Sequence, residues 1–137
     1  MPGMMALVRQ SLRFGAVGIV NTLIGLSAIY ALMFFLGAGP AIANVVGYAI
    51  GLAVSFALNR VWTFKSTQPI RHVLPRYLIT ASVCYLLNLG IVLLCTAHLS
   101  ANPYWAQLVG IGIYTICMFL GCRWYVFIRR PSTTQRP

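Results

Sequence analysis

The sequence of 137 residues contains no aspartate and no glutamate. That absence removes carboxylate general acids and bases, oxygen cages for Mg²⁺ and acidic proton relays from the available chemistry. Charge of any kind is scarce, at 7% of residues, where a soluble domain carries about 25%. Histidine is confined to His72 and His98, far apart in the chain, and the four cysteines (Cys84, Cys95, Cys117, Cys122) lack metal-ligand spacing. No metal site and no nucleophile–base pair follows from this inventory, so the reading is of a protein that is not an enzyme and needs no cofactor. The cysteines are read as small apolar packing residues. A cleavable signal peptide is not expected either, because the apolar run after the opening segment is too long for a signal core and no small-residue cleavage site follows it.

What is present is apolar: 60% of residues are hydrophobic and the mean hydropathy is +0.85. The ten Lys and Arg residues are clustered, leaving residues 14–59 and 77–122 as two charge-free stretches of equal length. A bilayer core of roughly 30 Å takes about 20 helical residues to cross, so each stretch holds two crossings and a tight turn. The turns are legible as Gly37-Ala38-Gly39-Pro40 and Ser100-Ala101-Asn102-Pro103. The expected spans are about 11–36, 41–64, 76–98 and 104–128. They form one transmembrane domain over 11–128, with an N-terminal segment 1–10 and a basic, disordered tail 129–137.

Both short turns lack Lys and Arg, whereas the N-terminus, the central loop and the tail hold all ten. The positive-inside rule therefore places both termini and the central loop in the cytoplasm. Trp62, Trp105, Trp124, Tyr77, Tyr104 and Tyr125 fall near span ends, as interfacial aromatics do. The two halves also repeat without a gap at an offset of 63. Arg13 falls on Arg76, Leu23 on Leu86, Pro40 on Pro103, Gly47 on Gly110, Phe56 on Phe119, Arg60 on Arg123 and Phe64 on Phe127. Each unit contains two helices, so both enter from the same side. The expected fold is an all-α integral membrane protein of four helices built as two tandem hairpins, a parallel repeat.

Polar groups within spans mark helix contacts or functional sites. Asn21, Thr22, Asn44, Ser55, Asn59, Asn88, Gln107 and Thr115 lie there, and Asn21 and Asn88 are nearest mid-span. Each is open to two readings, an interhelical hydrogen bond or a substrate contact. Gly47 and Gly51 form a GxxxG that allows close helix approach, inside the monomer first and across a dimer second. Four arginines (Arg13, Arg60, Arg76, Arg123) stand at the inner ends of the four helices, with Lys65 beside them. They serve either as snorkelling anchors or as a forked grip on an anion, phosphate above all. A basic surface also suits nucleic acid, but charges flanking spans fit anionic lipid better, and no nucleic-acid partner is expected.

The segments RFGAVGIVNT (13–22), SFALNRVWTF (55–64), the RY opening the third helix and RWYVF (123–127) together resemble the GtrA-like family over about residues 12–128. The resemblance implies a four-helix membrane protein of the bacterial cytoplasmic membrane associated with glycosyltransferases that make polyprenyl-phosphate-linked sugars. The implied role is flipping a polyprenyl-phosphate-linked monosaccharide outward for cell-surface polysaccharide synthesis. The alternative is a non-transporting subunit that docks a glycosyltransferase and presents its lipid substrate. On the flipping reading Arg60, Arg13, Arg76, Arg123 and Lys65 bind the lipid phosphate. Asn21, Asn59, Ser55, Asn88, Asn44, Gln107 and Trp62 line the cavity for the sugar. The resemblance also extends a role to Phe14 and Phe64. Cys122 stands where the repeat of Asn59 would fall, so a phosphate site is expected to lean toward the first hairpin. A small multidrug exporter shares the helix count, but such exporters generally need a membrane carboxylate. Four helices offer little wall around a bulky head group, which makes a homodimer an expected state.

Overall fold

Long apolar stretches without charge leave the backbone one way to satisfy its hydrogen bonds in lipid, the helix. The computed structural model describes residues 2–98 and 102–128, and among these the chain is helical, with four helices long and apolar enough to cross a membrane. They are α1 (Pro2–Leu36), α2 (Pro40–Leu58), α3 (Ile70–His98) and α4 (Pro103–Gly121). Both α2 and α4 run on into one wide π-helical turn, Asn59–Thr63 and Cys122–Val126 respectively. The sequence alone predicts ordinary helix there. The tail 129–137 and residues 99–101 between α3 and α4 lie outside the described residues.

The chain divides into a first hairpin ending at Lys65 and a second beginning at Ser66. In the first, α1 packs along α2 and its terminal wide turn. α1 starts at Pro2, well before Ser11, and at about 1.5 Å per residue it exceeds the bilayer core. Its excess lies on the charged side of Phe14, where Arg9 and Arg13 stand. It ends at Gly37, which takes the left-handed conformation (φ 60°), and the Ala38 N–H donates to the Leu32 carbonyl at 3.1 Å. A side chain there costs about 1–2 kcal/mol. α2 then opens on Gly39 and Pro40, a proline where no donor is missed. The helices approach most closely at Gly47: a Cβ there would strike Ile29 and come within 3.0 Å of the Gly25 carbonyl oxygen. The buried residues of this hairpin include Phe14, Val17, Ala43, Phe56, Asn59, Thr63 and Phe64.

In the second hairpin α3 packs along α4 and the wide turn that follows it. α3 begins at Ile70, six residues earlier than the sequence suggests, because Pro75 sits inside the helix. Pro75, the sixth residue of the helix, forfeits its own ladder bond, yet the helix runs through it, so it is not the boundary it resembles. α4 is capped by Asn102, whose side chain accepts from the Tyr104 N–H at 3.0 Å. The buried residues of this hairpin include Val73, Tyr77, Thr80, Ala81, Cys84, Ala106, Met118, Cys122, Val126 and Phe127. Large apolar side chains elsewhere on the helices, such as Ile19, Leu23, Val45, Leu86, Leu93 and Ile116, are exposed. On spans of this length such faces suit hydrocarbon. Four threonine hydroxyls in the spans are satisfied by their own helix: Thr22 by Gly18, Thr80 by Arg76, Thr96 by Val92 and Thr115 by Ile111, each through the carbonyl oxygen one turn earlier.

Candidate functional site

The charged end of the first hairpin is built from SFALNRVWTF meeting the start of RFGAVGIVNT. A helix end leaves carbonyls without partners, and one of them, on Trp62, accepts a hydrogen bond from Arg13 Nη1 at 3.0 Å. The same guanidinium lies 5.2 Å from the centre of the Trp62 ring, within cation–π range. One residue on, Phe14 meets Phe64 edge-on, with centroids 6.3 Å apart. The wide turn places Phe64 there: its N–H reaches back five residues to the Asn59 carbonyl at 2.9 Å. π-helical turns are rare and often found at functional sites. Lys65 follows in the left-handed conformation (φ 48°) with its side chain exposed.

Inside this clasp lie the polar residues. Asn59 is buried, its amide Nδ2 donating to Ser55 Oγ at 3.3 Å, while its Oδ1 has no partner among the described residues. Thr63, one turn on, is buried with its Oγ1 likewise unpartnered. An unsatisfied buried group costs about 1–3 kcal/mol. Arg60 is half-buried, with its Nε enclosed. Asn21 sits deeper in the hairpin against Gly51, where a Cβ would fall 2.5 Å from its Oδ1.

The second hairpin closes in the same way at the same offset. The Arg76 guanidinium lies 5.6 Å from the Tyr125 ring centre, Tyr77 packs on Phe127 at 6.4 Å, and the Phe127 N–H bonds the Cys122 carbonyl at 2.9 Å. Arg123 is half-buried, as Arg60 is. The Gln68 side-chain amide donates to the Ile128 carbonyl.

The family profile described as GtrA/DPMS, transmembrane domain, matches residues 13–127, from the arginine of the first clasp to the phenylalanine of the second. The chain belongs to the GtrA/DPMS transmembrane-domain family. Among curated proteins none matches it. GtrA/DPMS membership, with four membrane-length helices, makes this a multi-pass membrane protein involved in handling polyprenyl-phosphate-linked sugars.

Within the GtrA/DPMS domain the residues singled out in the sequence separate into groups. Arg13 and Trp62 come together, as do Ser55 and Asn59. Trp62 is partly exposed and serves as the platform for Arg13. Asn88 sits against Gly110 in the second hairpin, its Oδ1 buried without a partner among the described residues. Asn44 is exposed, and its Nδ2 returns to the Pro40 carbonyl of its own helix at 2.8 Å. Gln107 is exposed. Cys84 and Cys122 are buried and Cys95 and Cys117 half-buried, all as free thiols. Thr63 is the residue that the candidate list lacked. Its signal was available, since Ser55, Asn59 and Thr63 recur every fourth position along α2 and its final turn.

Proposed function

We infer that the protein flips a polyprenyl-phosphate-linked monosaccharide across a bacterial cytoplasmic membrane for cell-surface polysaccharide synthesis, acting as a transporter and not as an enzyme. The observation that carries this reading is the charged end of the first hairpin. Within a domain of the GtrA/DPMS family, a half-buried Arg60 stands beside buried Asn59 and Thr63, whose side-chain oxygens lack partners among the described residues. A guanidinium supplies forked donors for a phosphate, and neutral amides and hydroxyls supply what a sugar needs. The chain contains no carboxylate to repel the lipid phosphate. Both termini and the Lys65–Arg76 connection face the cytoplasm, where Arg60 takes the phosphate first and the prenyl chain stays in lipid. Lys65 adds positive potential in the same hairpin, and Arg76 and Arg123 hold the matching positions of the second hairpin as further phosphate contacts. A membrane glycosyltransferase supplies the substrate, and a second copy of the chain widens the wall around it.

The test is lipid translocation in proteoliposomes. Purified protein is reconstituted with a short-chain polyprenyl-phosphate sugar, and exposure of the sugar in each leaflet is timed with an impermeant enzyme. Protein-dependent movement that falls at least tenfold in Arg60→Ala, at equal reconstitution, is the expected result. Equal movement with both proteins would reduce Arg60 to an anchor. No movement with the wild type would favour the docking subunit that presents lipid to its glycosyltransferase.

A further inference from the structure

The repeat supplies an internal comparison for the polar cluster. At the offset of 63, Asn21, Ser55, Asn59 and Thr63 of the first hairpin fall on Cys84, Met118, Cys122 and Val126 of the second. The backbone is the same at both ends, with the wide turn at Asn59–Thr63 matched by that at Cys122–Val126. Burial matches at the wide turn, where Asn59 and Thr63 are 1% and 3% exposed and Cys122 and Val126 are each 0% exposed; Asn21 and Ser55 are half-buried where Cys84 and Met118 are buried. The second hairpin thus shows that this geometry closes with apolar and thiol side chains. The first places amide and hydroxyl groups there and leaves Asn21 Oδ1, Asn59 Oδ1 and Thr63 Oγ1 without partners among the described residues. Packing does not require them, and in a buried setting they are the worse packing solution. Their chemistry is specific: an amide oxygen accepts, and a threonine hydroxyl donates and accepts. A neutral hydroxyl, which does both, satisfies the pair.

We propose that Ser55, Asn59 and Thr63 form a hydroxyl-binding subsite that recognises the sugar of the lipid-linked substrate, and that the second hairpin has no counterpart at its inner end. This rests on the reading of the protein as a handler of polyprenyl-phosphate sugars and deepens it. Arg60 answers to the phosphate, which every such lipid carries, and the three neutral residues answer to the sugar. Binding requires the clasp at Trp62–Phe64 to loosen, because the oxygens are enclosed in the closed form. Discrimination therefore resides in the first hairpin alone.

The test compares two probes on the full chain in detergent: a short-chain polyprenyl-phosphate hexose, and the same polyprenyl phosphate without sugar. The wild type is expected to prefer the sugar-bearing lipid. Asn59→Cys and Thr63→Val, which install the residues of the second hairpin, should lower that preference by about tenfold, the effect of one lost hydrogen bond of roughly 1.4 kcal/mol. Binding of the bare lipid should stay within about twofold, and the thermal midpoint should hold or rise. Thr63→Ser should retain the preference, because the hydroxyl remains. Arg60→Ala should weaken both lipids together. An unchanged preference in Asn59→Cys and Thr63→Val, equal loss of both lipids, a wild type indifferent to the sugar, or Thr63→Ser behaving as Thr63→Val each overturns the subsite while leaving the lipid reading intact. A wild type that binds neither lipid overturns the lipid reading and the subsite with it.

Discussion

At the scale of single residues, arginines that look alike in sequence do different work. Arg13 holds the Trp62 carbonyl and rests on the indole ring, so its fork is committed to closing its own hairpin. Arg76 shares the ring contact through Tyr125, at the longer distance of 5.6 Å, and a hydrogen bond to that residue's carbonyl is not among its contacts. A charge-assisted hydrogen bond contributes about 1.5–3 kcal/mol and an exposed cation–π contact about 0.5–1 kcal/mol. Arg13 is only half-buried, so solvent competes for its bond and the lower figures apply. Arg13→Ala should therefore lower stability by about 1–2 kcal/mol and Arg76→Ala by less than 1 kcal/mol. Thermal unfolding of both variants in the same detergent checks the order, and a double-mutant cycle of Arg13→Ala with Trp62→Phe isolates the ring contact. Arg13→Lys keeps the charge and loses the planar fork, and should fall between wild type and Arg13→Ala. Read from the sequence, all four arginines carry the same two readings, anchor or phosphate grip, because only position along a helix is visible there. Whether a guanidinium is already engaged depends on where a carbonyl forty-nine residues away comes to lie.

At the scale of elements, the hairpins are held by small residues and by polar side chains seated on them. Gly47 and Gly51 look equivalent as a GxxxG, but the contacts they would make as alanine differ. At Gly47 the obstacles are Ile29 and, at 3.0 Å, the Gly25 carbonyl oxygen, which belongs to the backbone and cannot rotate away. At Gly51 the nearest obstacle is the tip of the Asn21 side chain at 2.5 Å, and the backbone lies farther off at 3.7 Å. Gly47→Ala must therefore separate α1 from α2, an overpacking cost of about 1–3 kcal/mol. Gly51→Ala needs only a new Asn21 rotamer. Melting temperatures should show Gly47→Ala as the less stable of the two, and Ile29→Ala introduced into Gly47→Ala should recover only part of the loss. The existence of four helices and the turn at Gly37–Pro40 were legible in the sequence, because lipid imposes helices on long uncharged runs and Gly-Pro chemistry marks their ends. The early start of α3 was not, since a proline inside a helical pattern reads as a break, and Pro75 lies five residues past the true start. The wide turns were hidden for a related reason. One extra residue in a turn leaves hydrophobic composition unchanged, and only the backbone bond from Phe64 to Asn59 reveals it.

At the scale of the whole molecule, orientation decides whether the site and the substrate ever meet. On the proposed function the lipid-linked sugar is met at the cytoplasmic leaflet, which requires Arg60 on that side, and the positive-inside rule predicts that orientation because the ten cations avoid both short turns. The native thiols make this testable with little background, because Cys84 and Cys122 are buried and Cys95 and Cys117 half-buried within the spans. Gly39 is exposed with φ −63°, a conformation any residue adopts, and Thr67 is exposed in the connection between the hairpins. In intact cells an impermeant maleimide should label Gly39→Cys and spare Thr67→Cys, which should react only after the membrane is opened. Wild type should stay unlabelled in both conditions. The reverse pattern would put Arg60, Asn59 and Thr63 on the outer face. A phosphate site there would meet lipid-linked sugar only after it had crossed, and the protein would then receive or return the lipid instead of exporting it. Labelling of both positions in intact cells would mean that the chain inserts in two orientations. Oppositely inserted copies would then present the first hairpin's polar cluster to both leaflets, and net direction would have to come from consumption of the sugar by its acceptor enzyme.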